Sequence, residues 1–450
     1  MSDIEVKIQR LGHNIFSQCR KQTPSIFNKD WWSGKMLDLS MSNKNFKLQL
    51  FRFIDVFPSL TSNEDIRHHI QEYFNRDDLH LPATLKFGLL AMTEGITSSL
   101  ALLALKKNIH HMAKLFISGQ NIEEALPQLK NLWDSEISFT TDLLGEKALC
   151  EKEAENHLQQ YLNLIEKLSL TSSAWKQSSQ LETASWGKIP RCNISVKISS
   201  LNSQLDPLNF DESLIVLKTR LLKIFKKAQD HNCTVYLDME HYELKDFTLA
   251  LFKSLLEDKA LSNFQEAGIV LQAYLKDTER DLLQLIEWGS SYQRKFYVRL
   301  VKGAYWDHET TIARLQNWPC PVFQKKEHSD ANYEKLTNII LDHTNVIRPA
   351  FASHNIRSLA HAITQAHQRD LSPNSFELQM LWGMAEPIKK ALCQMGYRVR
   401  DYVPIGDLVP GMAFLVRRLL ENTSNESFLR QSFVDNEEAS GLLRAPHFDE

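Results

Sequence analysis

The chain has 450 residues, with 52 Lys and Arg against 55 Asp and Glu, 43% hydrophobic residues, 15 Gly and 14 Pro. At roughly 150 residues per domain this length predicts about three domains, or one barrel of about 250 residues with additions. The composition excludes disordered and low-complexity classes, and a net charge of −3 argues against nucleic acid as a partner, because no basic field covers the chain. The most apolar window, 87–105, carries Glu94, Gly88 and Gly95 and is too polar for a membrane span. The start of the chain lacks a basic segment followed by an apolar one, and the six cysteines (Cys19, Cys150, Cys192, Cys233, Cys320, Cys393) stand singly. Both features predict a reducing, cytoplasmic setting.

In chain order, residues 1–135 read as a helical N-terminal arm or domain, because apolar residues recur at three- and four-residue spacing over 46–57, 65–74 and 83–117. From residue 137 the pattern changes to short β-rich runs, each followed by a helical stretch. The first four are ISFTTDLLGE (137–146), ISVKISSL (194–201), TVYLDME (234–240) and AGIVLQAYL (267–275). Four more follow: KFYVRLVKGAYW (295–306), RPAFASHN (348–355), SFELQMLWGM (375–384) and VRDYVPIG (399–406). Strands alternating with helices predict parallel pairing, and eight such units predict an α/β fold, a closed (β/α)8 TIM-type barrel, over 136–430. No GxGxxG follows any strand, which argues against an open dinucleotide-binding sheet. Residues 431–450, with DNEEAS and no apolar period, read as a linker-like tail.

In such a barrel the active site forms at the C-terminal ends of the strands. Those ends carry Asp142, Glu146, Lys197, Asp238, Glu240, Gln272, Arg299, Lys302, His354, Asn355, Gln379 and Tyr402. Apolar strands that repeatedly end in ionisable residues predict a charged pocket for a small zwitterionic or anionic ligand. In RLVKGAYWD (299–307), Gly303 would allow close backbone approach, while Tyr305 and Trp306 offer faces to a planar heterocycle. In GMAFLVRRLLEN (411–422), Arg417 and Arg418 could clamp a carboxylate, with Glu421 holding one of them. The residues alone leave other chemistries open. These are a metal-dependent hydrolase using Asp238, Glu240, His308 and His354, a Schiff-base aldolase using Lys197 or Lys302, and a non-catalytic small-molecule-binding barrel whose helical 1–135 forms a partner surface.

A set of motifs in fixed order narrows this choice: TDLLGE (141–146), ISVKIS (194–199), LDME (237–240), VLQAY (270–274), RLVKGAYWD (299–307), FASHN (351–355), FELQMLWGMAE (376–386), YVPIG (402–406) and LVRRLLENTSNESFL (415–429). In these the chain resembles the proline dehydrogenase family, above all the proline dehydrogenase half of bifunctional proline utilization A flavoproteins. The resemblance implies FAD-dependent oxidation of L-proline to 1-pyrroline-5-carboxylate, with Asp238 and Arg299 as catalytic groups. It implies a proline site of Lys197, Asp238, Tyr402, Arg417, Arg418 and Glu421. It places FAD against Met239, Gln272, Arg299, Val301, Lys302, Gly303, Ala304, Trp306, Ser353, His354 and Asn355, with no metal. The implied partners are L-proline, a quinone electron acceptor at a membrane touched peripherally, and a pyrroline-5-carboxylate dehydrogenase domain or partner. The chain departs from the family pattern at Ser353, Gln324, Trp382 and in PIGDLVPGMAF after Tyr402.

Overall fold

A computed structural model describes residues 3–22, 62–76, 116–145, 147–407 and 441–448, with a few further positions between 45 and 114 and residue 411. All eight expected runs form strands: β1 (Ser138–Leu143), β2 (Cys192–Val196), β3 (Cys233–Leu237), β4 (Ala267–Gln272), β5 (Phe296–Val301), β6 (Ile347–Ala352), β7 (Glu377–Leu381) and β8 (Val399–Ile405). They pair in chain order, all parallel, and β8 closes on β1 with Ser138 opposite Arg400 and Leu143 opposite Ile405. Strands such as TVYL and AGIVLQ are buried along their whole length. A parallel barrel requires this, since helices cover one face and interior side chains the other.

The covering helices are α3 (Ile122–Asp134), α4 (Glu151–Ser173), α5 (Phe210–Asp230), α6 (Lys245–Leu256), α7 (Thr278–Ser291), α8 (Trp306–Gln316), α9 (Lys326–Asp342), α10 (Ile356–Gln368) and α11 (Glu386–Gln394), preceded by α1 (Asp3–Gln22) and α2 (Asn63–Phe74). Helix α2 begins with a capping box in which Ser62 and Asp65 exchange hydrogen bonds. It buries Ile66, Ile70 and Phe74 in a small apolar cluster with Phe53 and Leu79.

Helix α1 lies against α10 and α11, and its Ile8, Ile15, Phe16 and Cys19 belong to the same core as the barrel. Helix α3 packs on β1 and α4, where the Trp133, Phe139 and Trp175 rings meet edge-on or tilted at 5.8–6.4 Å. The stretch expected as a linker departs from that reading at its far end. Residues 441–448 are ordered on the barrel: Leu443 is fully buried against Gly12 of α1, Arg357 donates to its carbonyl, and Phe448 packs on Phe323. A single buried leucine and one aromatic contact are too sparse to register as an apolar period.

Beneath the mouth the barrel interior is ionic. Glu377 on β7 accepts two hydrogen bonds from Arg400 at 2.8 and 3.0 Å and pairs with Arg398 at 3.3 Å. Burial alone would raise the Glu377 carboxyl, yet Arg400 and Arg398 outweigh it and hold the pKa down to about 2. Arg348 pairs in the same way with Glu266 at 2.8 Å.

Candidate active site

The strand ends open on one cavity of about 1040 Å³. Among its lining residues are Lys197, Asp238, Met239, Gln272, Arg299, Val301, Lys302, Gly303, Ala304, Ser353, His354, Asn355 and Tyr402. Thirteen expected site residues drawn from six strands therefore converge on one space. Trp306 does not join them: it is 40% exposed and its Nε1 donates to the carbonyl of Phe323 at 2.9 Å. Arg417, Arg418, Glu421 and Glu146 lie outside the described residues.

The floor is a charged network centred on Asp238. Its Oδ1 accepts from Arg299 Nη1 at 2.8 Å, and its Oδ2 accepts from the Tyr402 hydroxyl at 2.6 Å. Lys197 donates to Tyr402 Oη at 3.1 Å and to Asp142, and its Nζ lies 3.6 Å from Asp238 Oδ2. Arg299 also donates through both terminal nitrogens to Ser195 Oγ at 3.1 Å, and its guanidinium stacks 4.2 Å from the centroid of the Tyr236 ring. Burial opposes the charge on Lys197, but Asp142, Tyr402 and Asp238 outweigh it and keep this amine protonated, its pKa well above the usual lysine value. Burial likewise keeps the Tyr402 phenol protonated. Two cations and two carboxylates thus balance one another, and the Tyr402 ring is fixed by the hydrogen bonds on its hydroxyl.

On the other side of the cavity, Gln272 gives its amide N–H groups to the Met239 and Glu240 carbonyls at 3.4 and 3.2 Å. His354 accepts from the Leu381 N–H through Nε2 at 3.0 Å, which puts the proton of a neutral ring on Nδ1. Ser353 Oγ accepts from the Asn355 N–H, while the Asn355 side chain caps α10 through the Ser358 N–H. Lys302 is paired with Asp330, and burial draws its pKa below the ordinary lysine value. Gly303 has φ of +134°, and a Cβ there would sit 2.5 Å from the Tyr274 ring. The glycine is therefore demanded by its backbone and by a packed aromatic ring.

The cavity offers polar edges suited to a planar heterocycle. Gln272, Gln379 and Arg299 line it, and each keeps a buried polar atom without a hydrogen bond: Oε1 of both amides and Nε of the guanidinium. Such atoms suit the alternating N–H and C=O edge of a heterocycle. The metal-hydrolase set does not converge in the same way. Asp238 is committed to Arg299 and Tyr402, Glu240 to the N–H and hydroxyl of Ser199, and His354 to Leu381.

Sequence reading named Asp142 as a strand end without giving it a partner, and it missed Ser195 and Tyr236. Strand alternation was the available signal. Inward-facing Lys197 and Asp238 place Ser195 and Tyr236, two residues earlier, in the same interior.

Comparison with known proteins gives the geometry a family. Residues 125–431 match the family model of proline dehydrogenase, and residues 5–116 that of the proline utilization A N-terminal domain. The bifunctional protein PutA of Klebsiella aerogenes is 30% identical over 332 residues, covering 72% of this chain and 24% of that protein. Proline dehydrogenase 1 of Bacillus subtilis (strain 168) is 27% identical over 322 residues, covering 72% of this chain and 90% of that protein. A crystal structure of proline utilization A from Bdellovibrio bacteriovorus, inactivated by N-propargylglycine, superposes with a TM-score of 0.89 at 41% identity. It covers 99% of this chain, which in turn spans 44% of that one. The chain thus spans about a quarter of the length of the first bifunctional relatives. The parallel barrel, its Lys197–Asp238–Arg299–Tyr402 floor and a family match reaching from α3 through β8 lead to one assignment: the chain belongs to the proline dehydrogenase family.

Proposed function

We propose that this chain oxidises L-proline to 1-pyrroline-5-carboxylate with FAD as its cofactor. The observation that carries the reading is the Asp238 network, whose charges cancel on the cavity floor beside unsatisfied polar atoms of Gln272, Gln379 and Arg299. FAD when bound supplies an acceptor for the hydride lost from the ring carbon beside the proline nitrogen. The chain's own residues supply position and charge. Tyr402, locked by Lys197 and Asp238, presents a fixed ring against which a small saturated ring can rest. Arg299 places a cation where negative charge develops during the reaction. Gln272, Met239, Val301, Lys302, Gly303 and Ala304 would hold the cofactor along β3 to β5, and Ser353, His354 and Asn355 would hold it at the end of β6.

Because Lys197 and Arg299 are already balanced by Asp142 and Asp238, the substrate carboxylate needs further cations. Arg417 and Arg418, steadied by Glu421, are the proposed anchor. Replacing either arginine with Met is expected to raise the KM for proline about 30- to 1000-fold, the loss of about 2–4 kcal/mol from one charged contact. Titration of tetrahydrofuran-2-carboxylate, which keeps the carboxylate but lacks the nitrogen, checks this directly. Equal affinity for wild type and both variants would remove the arginines from the site.

A quinone as final acceptor, a pyrroline-5-carboxylate dehydrogenase domain or partner downstream, and cytoplasmic placement with peripheral membrane contact complete the proposal. Among the described residues no helix is long and apolar enough to cross a membrane. The decisive experiment is anaerobic addition of L-proline to the flavin-loaded chain. Bleaching of the oxidised flavin bands is expected, and a spectrum unmoved by saturating proline would overturn the assignment.

A further inference from the structure

At the rim of the cavity stands a cluster to which the reading above gives no role. His241 follows β3, and His308 and Glu309 lie in the first turn of α8. One ligand atom from each of the three falls within 4.8 Å of the other two. The imidazole rings of His241 and His308 approach to 4.0 Å between centroids, and the Tyr305 ring lies 4.3 Å from that of His241. Glu309 is 6% exposed; its Oε1 accepts from the Tyr242 N–H at 2.9 Å and lies 3.7 Å from His241 Nδ1. That nitrogen is buried and makes no hydrogen bond.

We propose that His241, His308 and Glu309 form a binding site for a divalent transition-metal ion of the zinc class at the mouth of the barrel. Two imidazoles and a carboxylate are a donor set suited to zinc, cobalt or nickel, and a fourth position open to the cavity would hold water. Ligand atoms in a tetrahedral site of this kind lie about 3.3 Å apart, so modest ring rotations close the set. His308 is exposed, whereas Glu309 is fixed by the Tyr242 N–H, which serves as the outer contact that orients a ligating carboxylate. An ion would also satisfy the orphaned His241 Nδ1. Because α8 turns its positive end toward the cluster, binding must come from the three ligands and not from the helix field.

The test reads metal directly and is independent of proline turnover. Zinc titrated calorimetrically into the purified chain should bind at one equivalent, and cobalt in its place should give absorption to the red of any flavin band. His308→Ala, a surface change, should weaken binding by more than the roughly 10- to 100-fold that outer contacts are worth. Glu309→Gln retains an acceptor for Tyr242 while removing the charge, and it should weaken binding comparably. Failure of the wild-type chain to take up zinc or cobalt, or uptake that survives both substitutions, overturns the site.

Discussion

Arg299→Met should leave the barrel folded and flavin-loaded yet slow the anaerobic reduction of flavin by proline by on the order of 100- to 1000-fold. The loss has two sources. The substitution removes the charge beside the reacting centre, and it takes the guanidinium donors away from Asp238 Oδ1 and Ser195 Oγ. Asp238, 7% exposed, would then face the substrate with Lys197 and Tyr402 as its remaining partners. Arg299→Lys would restore charge without the two-nitrogen grip on Ser195 and should recover only part of the rate. Stopped-flow bleaching of the flavin band measures both variants, and a near-normal rate in Arg299→Met would show that this guanidinium is only structural.

The largest effect on stability is expected from Glu377→Gln. Glu377 is 2% exposed between two buried guanidiniums, so neutralising it leaves Arg398 and Arg400 facing each other without a counter-charge. Breaking a buried ionic cluster in this way costs about 3–5 kcal/mol. The pH dependence has a definite sign. The folded chain holds this carboxyl at about 2 against an ordinary value of 4.5, so the unfolded state binds more protons between those limits. Its stabilisation, on the order of 3 kcal/mol, is therefore complete above pH 4.5 and is lost as the pH falls toward 2. Denaturant titrations across that range should show a shallower fall for Glu377→Gln than for wild type, and parallel curves would rule the carboxylate out as the source.

The barrel was legible in sequence because its strands are short apolar runs separated by amphipathic helices, a strand-then-helix signal that repeats seven times among the described residues before β8. The ends of those runs marked the cavity, since Lys197, Asp238, Arg299 and Tyr402 interrupt them where the chain leaves the barrel. The ionic interior was not legible. Glu377 in β7 and Arg400 in β8, with Arg398 just before β8, are polar residues about twenty positions apart, and their pairing depends on the parallel register of β7 with β8. The second demand on Gly303 was not legible, because nothing local predicts that the Tyr274 ring packs against it. The outward turn of Trp306 was not legible either, because the residue that opens α8 can face solvent while Tyr305 beside it lines the cavity.

The seam between α1 and the 441–448 segment carries a kinetic consequence. Leu443 fills the space beside Gly12, and Arg357 bonds both Glu5 and the Leu443 carbonyl, joining positions roughly 430 residues apart. Closing so long a loop is entropically costly before the barrel has condensed, so these contacts form after the rate-limiting step of folding. Interactions absent from the transition state act on the escape rate from the native state. The seam therefore works as a brake on unfolding: loosening it shortens the lifetime of the native barrel while leaving the speed of its assembly nearly unchanged.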